Sequence, residues 1–324
     1  MTDDAVVADI GGTHARFGTV DNSGQLSNAD VLTCDQFSGL QEAYKFYIEN
    51  HKIQPKRLAA AVACPVEHDQ ITLTNNQWGF SKSQLLADLC LEEALIINDF
   101  TAQSLAVVSL SPSSFETLNT GIPNLQEPIF VIGPGTGLGV GGLVLDADGE
   151  WTPLSTEGGH VTLAAQTEDE WDVLRILKSR FSHISAERVI SGPGLLLLYQ
   201  TLCTLHAKQP IADSTATMIA AVDQDPMIYR ALEMFAGFFG GVASDGCLTL
   251  GSTQGVYIAG GVIPKLGPLF RRDLFMQRFL AKGRFNNYLS RVPVKLLLDS
   301  QGGLSGLARA LETPSLKRFS VRTD

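Results

Sequence analysis

Short apolar runs broken by glycine and threonine recur along the chain, and two of them share one pattern. Residues 5–8 run into Asp9-Ile10-Gly11-Gly12-Thr13 and resume at 16–20. Residues 129–132 run into Gly133-Pro134-Gly135-Thr136-Gly137-Leu138-Gly139 and resume at 140–145. Each reads as a strand that breaks into a glycine turn and returns as a second strand. Glycine lets the main chain turn tightly and lets its N–H groups approach a ligand. Successive N–H groups in such a turn form an anion-binding concavity, to which threonine adds a hydroxyl donor. One copy alone reads equally well as a plain hairpin. Two copies, roughly 120 residues apart, point to an internal duplication with two phosphate-gripping hairpins facing across a cleft.

The remaining periodicity alternates between strand and helix. Residues 5–34 read as three consecutive strands, with Asn22-Ser23-Gly24 at the second turn and Val31-Leu32-Thr33 in the third strand. Ser38-x-x-Gln41 reads as a capping box that opens a helix to about Asn50, with Leu40, Ala43, Tyr44, Tyr47 and Ile48 on its apolar side. Residues 58–63 form a buried strand of small residues. Ser81-x-x-Gln84 caps a helix to about Cys90, residues 94–97 form the strand that delivers Asn98 and Asp99, and a helix follows from Phe100 to about Leu110. Strands interspersed with helices in this way give a mixed sheet covered by helices, in the α/β class.

Residues 111–127, rich in serine and proline, read as a loop and as the boundary between two halves. After the second hairpin, 151–160 reads mostly as loop. Thr167-x-x-Glu170 caps a helix to about Ser182, and a leucine-rich helix covers 195–206. Asp225-Pro226 starts another helix, through Phe235 and Phe239, in which Gly237, Gly240 and Gly241 permit close packing. A strand at 256–259 ends in Gly260-Gly261, a last strand lies at 294–298 and a last helix at 305–311. The tail 312–324 has three basic residues and no clear apolar face, and reads as disordered.

Composition narrows the class. At 324 residues the chain exceeds the usual size of one core, so two domains are expected. Its 44% apolar and 18% charged content is that of an ordinary soluble globular protein. A net charge of −10 argues against a nucleic-acid surface, which carries a basic stripe. It leaves room for a bound nucleotide, which a nest of N–H groups and a metal ion can hold. Cys34, Cys64, Cys90, Cys203 and Cys247 are odd in number and form no C-x-x-C pair. That argues against zinc and a disulfide framework, and for small buried thiols in a reducing compartment. The acidic Met1-Thr2-Asp3-Asp4 is not followed by the apolar h-region of a signal peptide, so none is expected, and no run approaches the roughly 18 apolar residues of a membrane span. A cytoplasmic protein with no membrane partner is expected.

Six polar residues could carry chemistry. Asp99, between a strand and a helix, reads either as a helix N-cap or, at the carboxyl end of a strand beside Asn98, as a ligand-handling group. There it could take a hydroxyl proton as that hydroxyl attacks phosphorus. Glu157 and His160 flank Gly158-Gly159 on a loop bent enough to present both, although His160 alone would pass for a structural histidine. Glu187 by default is a surface charge paired with Arg188. Two glutamates, a histidine, an asparagine and an aspartate can grip a polyol, whose hydroxyls each donate and accept, and spacing does not decide whether they converge. Asp9, at the mouth of the first hairpin, reads as an Asx-turn residue or as a Mg²⁺ ligand acting through water.

In their order along the chain these motifs resemble the bacterial glucokinases. The resemblance rests on Asp9-Ile10-Gly11-Gly12-Thr13, Ile97-Asn98-Asp99-Phe100, Gly135-Thr136-Gly137-Leu138-Gly139, Glu157-Gly158-Gly159-His160, Ser185-Ala186-Glu187-Arg188, Ser191-Gly192-Pro193-Gly194 and Ile258-Ala259-Gly260-Gly261-Val262. It runs from residue 5 to about 311 and is to the ATP-dependent group without the cysteine zinc motif of the ROK type. It implies the hexokinase–actin–heat-shock ATPase fold, two ribonuclease-H-like α/β domains flanking a cleft. The family's chain returns at its C-terminus, which implies a small domain of residues 1–110 plus 300–324, with 300–311 packed on it, and a large domain of 111–299.

The same resemblance implies transfer of the ATP γ-phosphoryl group to the 6-hydroxyl of glucose, with Mg²⁺, commonly by a homodimer. Asp99 would be the general base. Asn98, Glu157, His160 and Glu187 would hold the other hydroxyls. Ala8, Asp9, Ile10, Gly11, Gly12 and Thr13, with Gly135, Thr136 and Gly137, would face the phosphates, and Gly260 and Gly261 the adenosine. Glucose binding would draw the domains together and expel water. The chain departs from the family at His14, where Asn is usual, and at Ala8, where Gly is usual; both imply an effect on hinge or nucleotide affinity rather than lost activity. Two other readings compete: a kinase for another hexose, and a non-catalytic nucleotide switch such as a filament former or a sugar-sensing regulator. The acidic charge gives no support to a DNA-binding regulator.

Overall fold

The strands that open the chain follow from its apolar runs. In the computed structural model, which describes residues 3–73, 77–299 and 302–322, β1 (Asp3–Ile10), β2 (His14–Asp21) and β3 (Leu26–Thr33) form an antiparallel meander. There follow α1 (Leu40–His51), β4 (Arg57–Val62), the hairpin of β5 (Gln70–Thr72) and β6 (Gly79–Ser81), α2 (Lys82–Leu89), β7 (Glu93–Asn98) and α3 (Asp99–Ser109). Next come β8 (Phe115–Asn119), β9 (Ile129–Pro134), β10 (Leu138–Leu145) and β11 (Trp151–Ser155). The helices α4 (Glu168–Arg180), α5 (Ala186–Val189), α6 (Gly192–Leu205), α7 (Thr215–Ala220) and α8 (Pro226–Leu250) come after them. Last are β12 (Gly255–Ile258), α9 (Val262–Leu266), α10 (Arg272–Leu280), α11 (Asn286–Leu289), β13 (Val294–Leu297), α12 (Gly302–Leu311) and β14 (Ser320–Arg322).

The chain divides into two units, Met1–Ser114 with Gly142–Ser155 and Asp299–Asp324, and Phe115–Gly141 with Thr156–Leu298. In the first, the sheet order is β14–β7–β4–β1–β2–β3. β4 runs parallel to both of its neighbours. Its residues 58–62 are buried, which is why they read as one continuous apolar run rather than an alternation. α12 packs on α3, β1 and β4. Leu40, Ala43, Tyr44 and Tyr47 of α1 enter the same unit's core.

The second sheet, β11–β10–β9–β12–β13–β8, repeats the first strand for strand. Three consecutive strands are followed by two parallel ones and an antiparallel edge strand. The duplication suggested by the two glycine hairpins is therefore present in the topology. In the second unit Phe235 and Phe239 of α8 pack with Phe270, Phe275 and Phe279, their ring centroids 5.0–6.3 Å apart.

Caps set the helix starts. Ser81 accepts from the Gln84 N–H, Thr167 and Glu170 form the reciprocal box that opens α4, and Asp225 accepts from the Met227 N–H. α1 differs from expectation: it starts at Leu40 behind Gly39, which offers no side-chain acceptor. Ser38 instead donates twice to the Glu42 carboxylate, at 2.7 Å from both N–H and Oγ, because a carboxylate accepts more strongly than the Gln41 amide.

Three stretches expected to be irregular contain strands. Within 111–127, residues 115–119 form β8, whose Phe115 ring meets Tyr257 edge-on at 5.4 Å and whose Glu116 accepts two hydrogen bonds from Arg272. Within 151–160, the first five residues form β11. The tail is not disordered over 314–322. Leu316 is buried, Phe319 and Val321 pack against the first unit's core, and β14 pairs with β7. Arg322 donates to Glu93 at 2.7 and 3.1 Å, and Arg57 to Glu93 and to the Leu311 carbonyl. Each of these strands is fixed by partners distant in sequence, so local pattern misses it. Residues 300, 301, 323 and 324 of the expected C-terminal segment lie outside the described residues.

Candidate functional site

The first glycine hairpin is tight. Asp9 pairs with Arg16 and Ile10 with Ala15 across it, and the Gly11 N–H donates to the His14 carbonyl at 3.0 Å. Gly12, Thr13 and His14 are exposed at its tip, whereas Ala8 and Ile10 are buried in the sheet beneath. The tip is thus the part open to a ligand. Asp9 is not an Asx-turn residue but the last residue but one of β1, with Arg16 Nη1 3.7 Å from its Oδ2. Burial raises its carboxyl above the ordinary range, and the Arg16 charge offsets only part of that.

β7 delivers Asn98 and Asp99 as expected, with the cap shifted by one residue. Asn98, not Asp99, is the N-cap of α3, and its Oδ1 accepts from the Phe100 N–H at 2.9 Å. Asp99 is the first helical residue, and its Oδ1 lies 2.9 Å from the same N–H. A carboxylate there sits in the favourable field of the helix N-terminus. Cys64, buried two residues beyond β4, reads from the sequence only as a core thiol. Burial and then the charges of Asp99 and Glu67 push its thiol up, so it lies within the electrostatic reach of Asp99.

In the second unit the turn after β9 is braced on both sides. The Gly135 N–H donates to the Gly137 carbonyl at 2.8 Å, and the Gly135 carbonyl accepts from the Gly192 N–H at 2.9 Å. β12 runs beside β9 in parallel, with the Ala259 N–H on the Ile132 carbonyl, so Gly260 leaves the sheet against Gly133 and Pro134. The candidate phosphate and adenosine segments are neighbours.

Glu157, His160 and Glu187 converge within this unit. His160 Nε2 stands 3.8 Å from Glu157 and its Nδ1 4.0 Å from Glu187. Two main-chain features make them meet. First, residues 158–160 form one 3₁₀ turn laid on β10: a Cβ on Gly159 would stand 2.0 Å from the Leu138 carbonyl oxygen, and Thr156 Oγ1 donates to the Val140 carbonyl at 2.8 Å. Second, the Leu163 N–H donates to the Ile184 carbonyl and the Ala186 N–H to the Val161 carbonyl, which brings α5 alongside 160–163. Glu187 is not paired with Arg188, whose guanidinium lies over the Phe181 ring at 4.3 Å. Instead Glu187 Oε2 accepts the Leu138 N–H at 2.9 Å. No sequence signal announces that bond, because its donor is main chain.

A cavity of about 380 Å³ in the second unit lies elsewhere, between α4, α8 and α10. Its charged walls are closed on each other through Asp169–Arg230 and Glu170–Arg278. Among the described residues no group of three or more His, Cys, Asp or Glu side chains could hold a metal ion by itself, and no helix is long and apolar enough to cross a membrane.

A model of the glucokinase family matches residues 6–314. A protein named glucokinase from Paramagnetospirillum magneticum is 42% identical over 319 residues, covering 97% of this chain and 99% of that protein. The crystal structure of a glucokinase from an Antarctic psychrotroph superposes with a TM-score of 0.85 at 31% identity, over 96% of this chain and 99% of that one. A ROK family glucokinase from Streptomyces griseus, solved with glucose and AMPPNP, has a TM-score of 0.64 at 18% identity, over 94% and 98% of the two chains, a likeness of fold alone. The expected α/β class of the actin-like ATPase type is borne out.

Proposed function

The chain belongs to the glucokinase family, and we propose that its residues divide the work of an ATP-dependent glucose 6-kinase as follows. The reaction class, transfer of phosphoryl from ATP to a hexose, comes with the family. The convergence of Glu157, His160 and Glu187 on the second glycine hairpin carries the residue-level reading. It joins a polyol-binding set to a turn suited to phosphate.

Glucose hydroxyls pair with Glu157, His160, Glu187 and the Asn98 side chain, each group accepting or donating as the hydroxyl requires. Asn98 uses its carbonyl oxygen in the cap of α3, so its amide NH₂ is the part offered to sugar. Asp99 orients the 6-hydroxyl and takes its proton as that oxygen attacks the γ-phosphorus, the bond to the ADP oxygen breaking in line. Main-chain N–H groups around 11–13 and 135–137 face the phosphate oxygens, and Gly260 and Gly261 lie beside the adenosine.

Asp9 fits a place beside Mg²⁺: it is an oxygen donor at the end of β1, next to the glycine turn, and its side chain is 16% exposed. When bound, Mg²⁺ neutralises charge on the phosphoryl oxygens. A homodimer in the cytoplasm, serving the first step of glucose breakdown, completes the proposal.

The test is to incubate the purified protein with Mg·ATP and a panel of hexoses, and to identify products by mass and by a 6-phosphate-specific coupled assay. Glucose 6-phosphate should form fastest. Preferred phosphorylation of another hexose would transfer the substrate assignment to that sugar, and nucleotide binding with no sugar phosphate would overturn the kinase reading.

A further inference from the structure

Glu187 touches two subsites with two different oxygens. Oε2 accepts the N–H of Leu138, the residue that closes the glycine turn, and Oε1 faces His160 Nδ1 at 4.0 Å. The fit on the turn side is close: a Cβ on Gly137 would stand 2.4 Å from Oε2 and 3.1 Å from Cδ. Only glycine at 137 leaves the carboxylate its place. The other side of the turn is held by the Gly192 N–H on the Gly135 carbonyl. Both braces therefore come from one short stretch, 187–192, at α5 and the start of α6. A hydrogen bond from a main-chain N–H to a carboxylate is charge-assisted and about twice as strong as a neutral one.

We propose that Glu187 is a positioning residue that couples the sugar and nucleotide subsites: one oxygen fixes the phosphate turn through Leu138, while the other is shared with the sugar through its contact with His160. The inference rests on the function proposed above for the identity of those two subsites. A sugar hydroxyl that orders Oε1 also orders Oε2, and with it the N–H groups of the turn. The turn is then set before the nucleotide arrives. Such coupling is reciprocal, so nucleotide must strengthen sugar binding by the same factor.

The experiment is calorimetric titration of Mg·AMPPNP into the full-length protein, first without sugar and then with saturating glucose, for the wild type, Glu187→Gln and Glu187→Ala. Glutamine keeps an acceptor oxygen for the Leu138 N–H, so without sugar Glu187→Gln should stay within about threefold of wild-type nucleotide affinity. Alanine leaves that N–H without the carboxylate, and nucleotide affinity should fall about tenfold even with no sugar present. The wild-type gain in nucleotide affinity on adding glucose should vanish in Glu187→Ala. Gly137→Ala, which displaces the carboxylate while leaving Glu187 in place, should reproduce the loss, and thermal melts identify any variant that fails to fold. Wild-type nucleotide affinity in both Glu187→Ala and Gly137→Ala, or an unchanged glucose effect in Glu187→Ala, would overturn the proposal. Failure of the glucokinase reading would look different: the wild type itself would make no glucose 6-phosphate.

Discussion

Gly306 lies within α12 where that helix crosses α3, and replacing it by alanine tests how closely the two are packed. A Cβ there would stand 1.8 Å from the Ala102 carbonyl oxygen, 2.7 Å from its carbon and 3.1 Å from the Ala106 nitrogen. All three are main-chain atoms of α3, so no side-chain rotation relieves the clash. Reaching an ordinary carbon–oxygen contact of about 3.3 Å means parting the helices by roughly 1.5 Å. A gap of about 1 Å already forfeits up to about half of the dispersion energy across the opened face. Overpacking costs about 1–3 kcal/mol, and rigid backbone on both sides argues for the upper end. Against this, alanine gains up to about 1 kcal/mol over glycine in a helix. The net loss is about 2 kcal/mol, which lowers the Tm by about 4–8 °C for a unit of this size. Because α3 begins with Asp99, kcat should fall as well, by up to about a hundredfold for a 1 Å displacement. The assay is a thermal melt of Gly306→Ala beside the wild type, with steady-state turnover on the same samples. A wild-type Tm would refute the close crossing; a lowered Tm with wild-type kcat would put the whole displacement in α12.

Two further substitutions probe other parts of the account. Gly159→Ala drives a Cβ into the Leu138 carbonyl and should raise the glucose KM by about tenfold or more; an unchanged KM would detach the 157–160 loop from sugar binding. Glu93→Gln addresses β14. Burial alone would raise the Glu93 carboxyl, but hydrogen bonds from Arg322 and Ser320 and the charges of Arg322 and Arg57 hold it below its ordinary value. A depressed carboxyl stabilises the fold above its unfolded value, 4.5 for glutamate, and loses that contribution as pH falls through the folded value. Glu93→Gln should therefore cost about 1–3 kcal/mol at pH 7, with melts converging on wild type below pH 4.5. A difference that stays constant into acid would contradict the linkage.

Much of the fold is legible because its elements carry their own signals. The glycine hairpins, the capping box at Thr167 and Glu170 and the Asp225-Pro226 start all depend on neighbouring residues, and each lies where its pattern places it. β8, β11 and β14 are short strands of three to five residues, and they exist through partners elsewhere in the chain. The sequence showed which residues could bind a sugar, but not that three of them meet. That depends on Leu163–Ile184, Ala186–Val161 and Glu187–Leu138, bonds whose main-chain groups are the same for every residue type. Asn98 and Asp99 stand out in the sequence as a pair, but the cap reads one residue late, since either side chain can fill that position.

The most direct test of the account is the yield of glucose 6-phosphate per ATP consumed, measured for the wild type and for Asp99→Ala. The wild type should give one sugar phosphate per ATP. Asp99→Ala should melt like the wild type and bind Mg·AMPPNP, yet turn over about 10²–10⁴-fold more slowly. Near-wild-type turnover by Asp99→Ala would contradict the role of Asp99, and ATP consumption without sugar phosphate in the wild type would contradict the function itself.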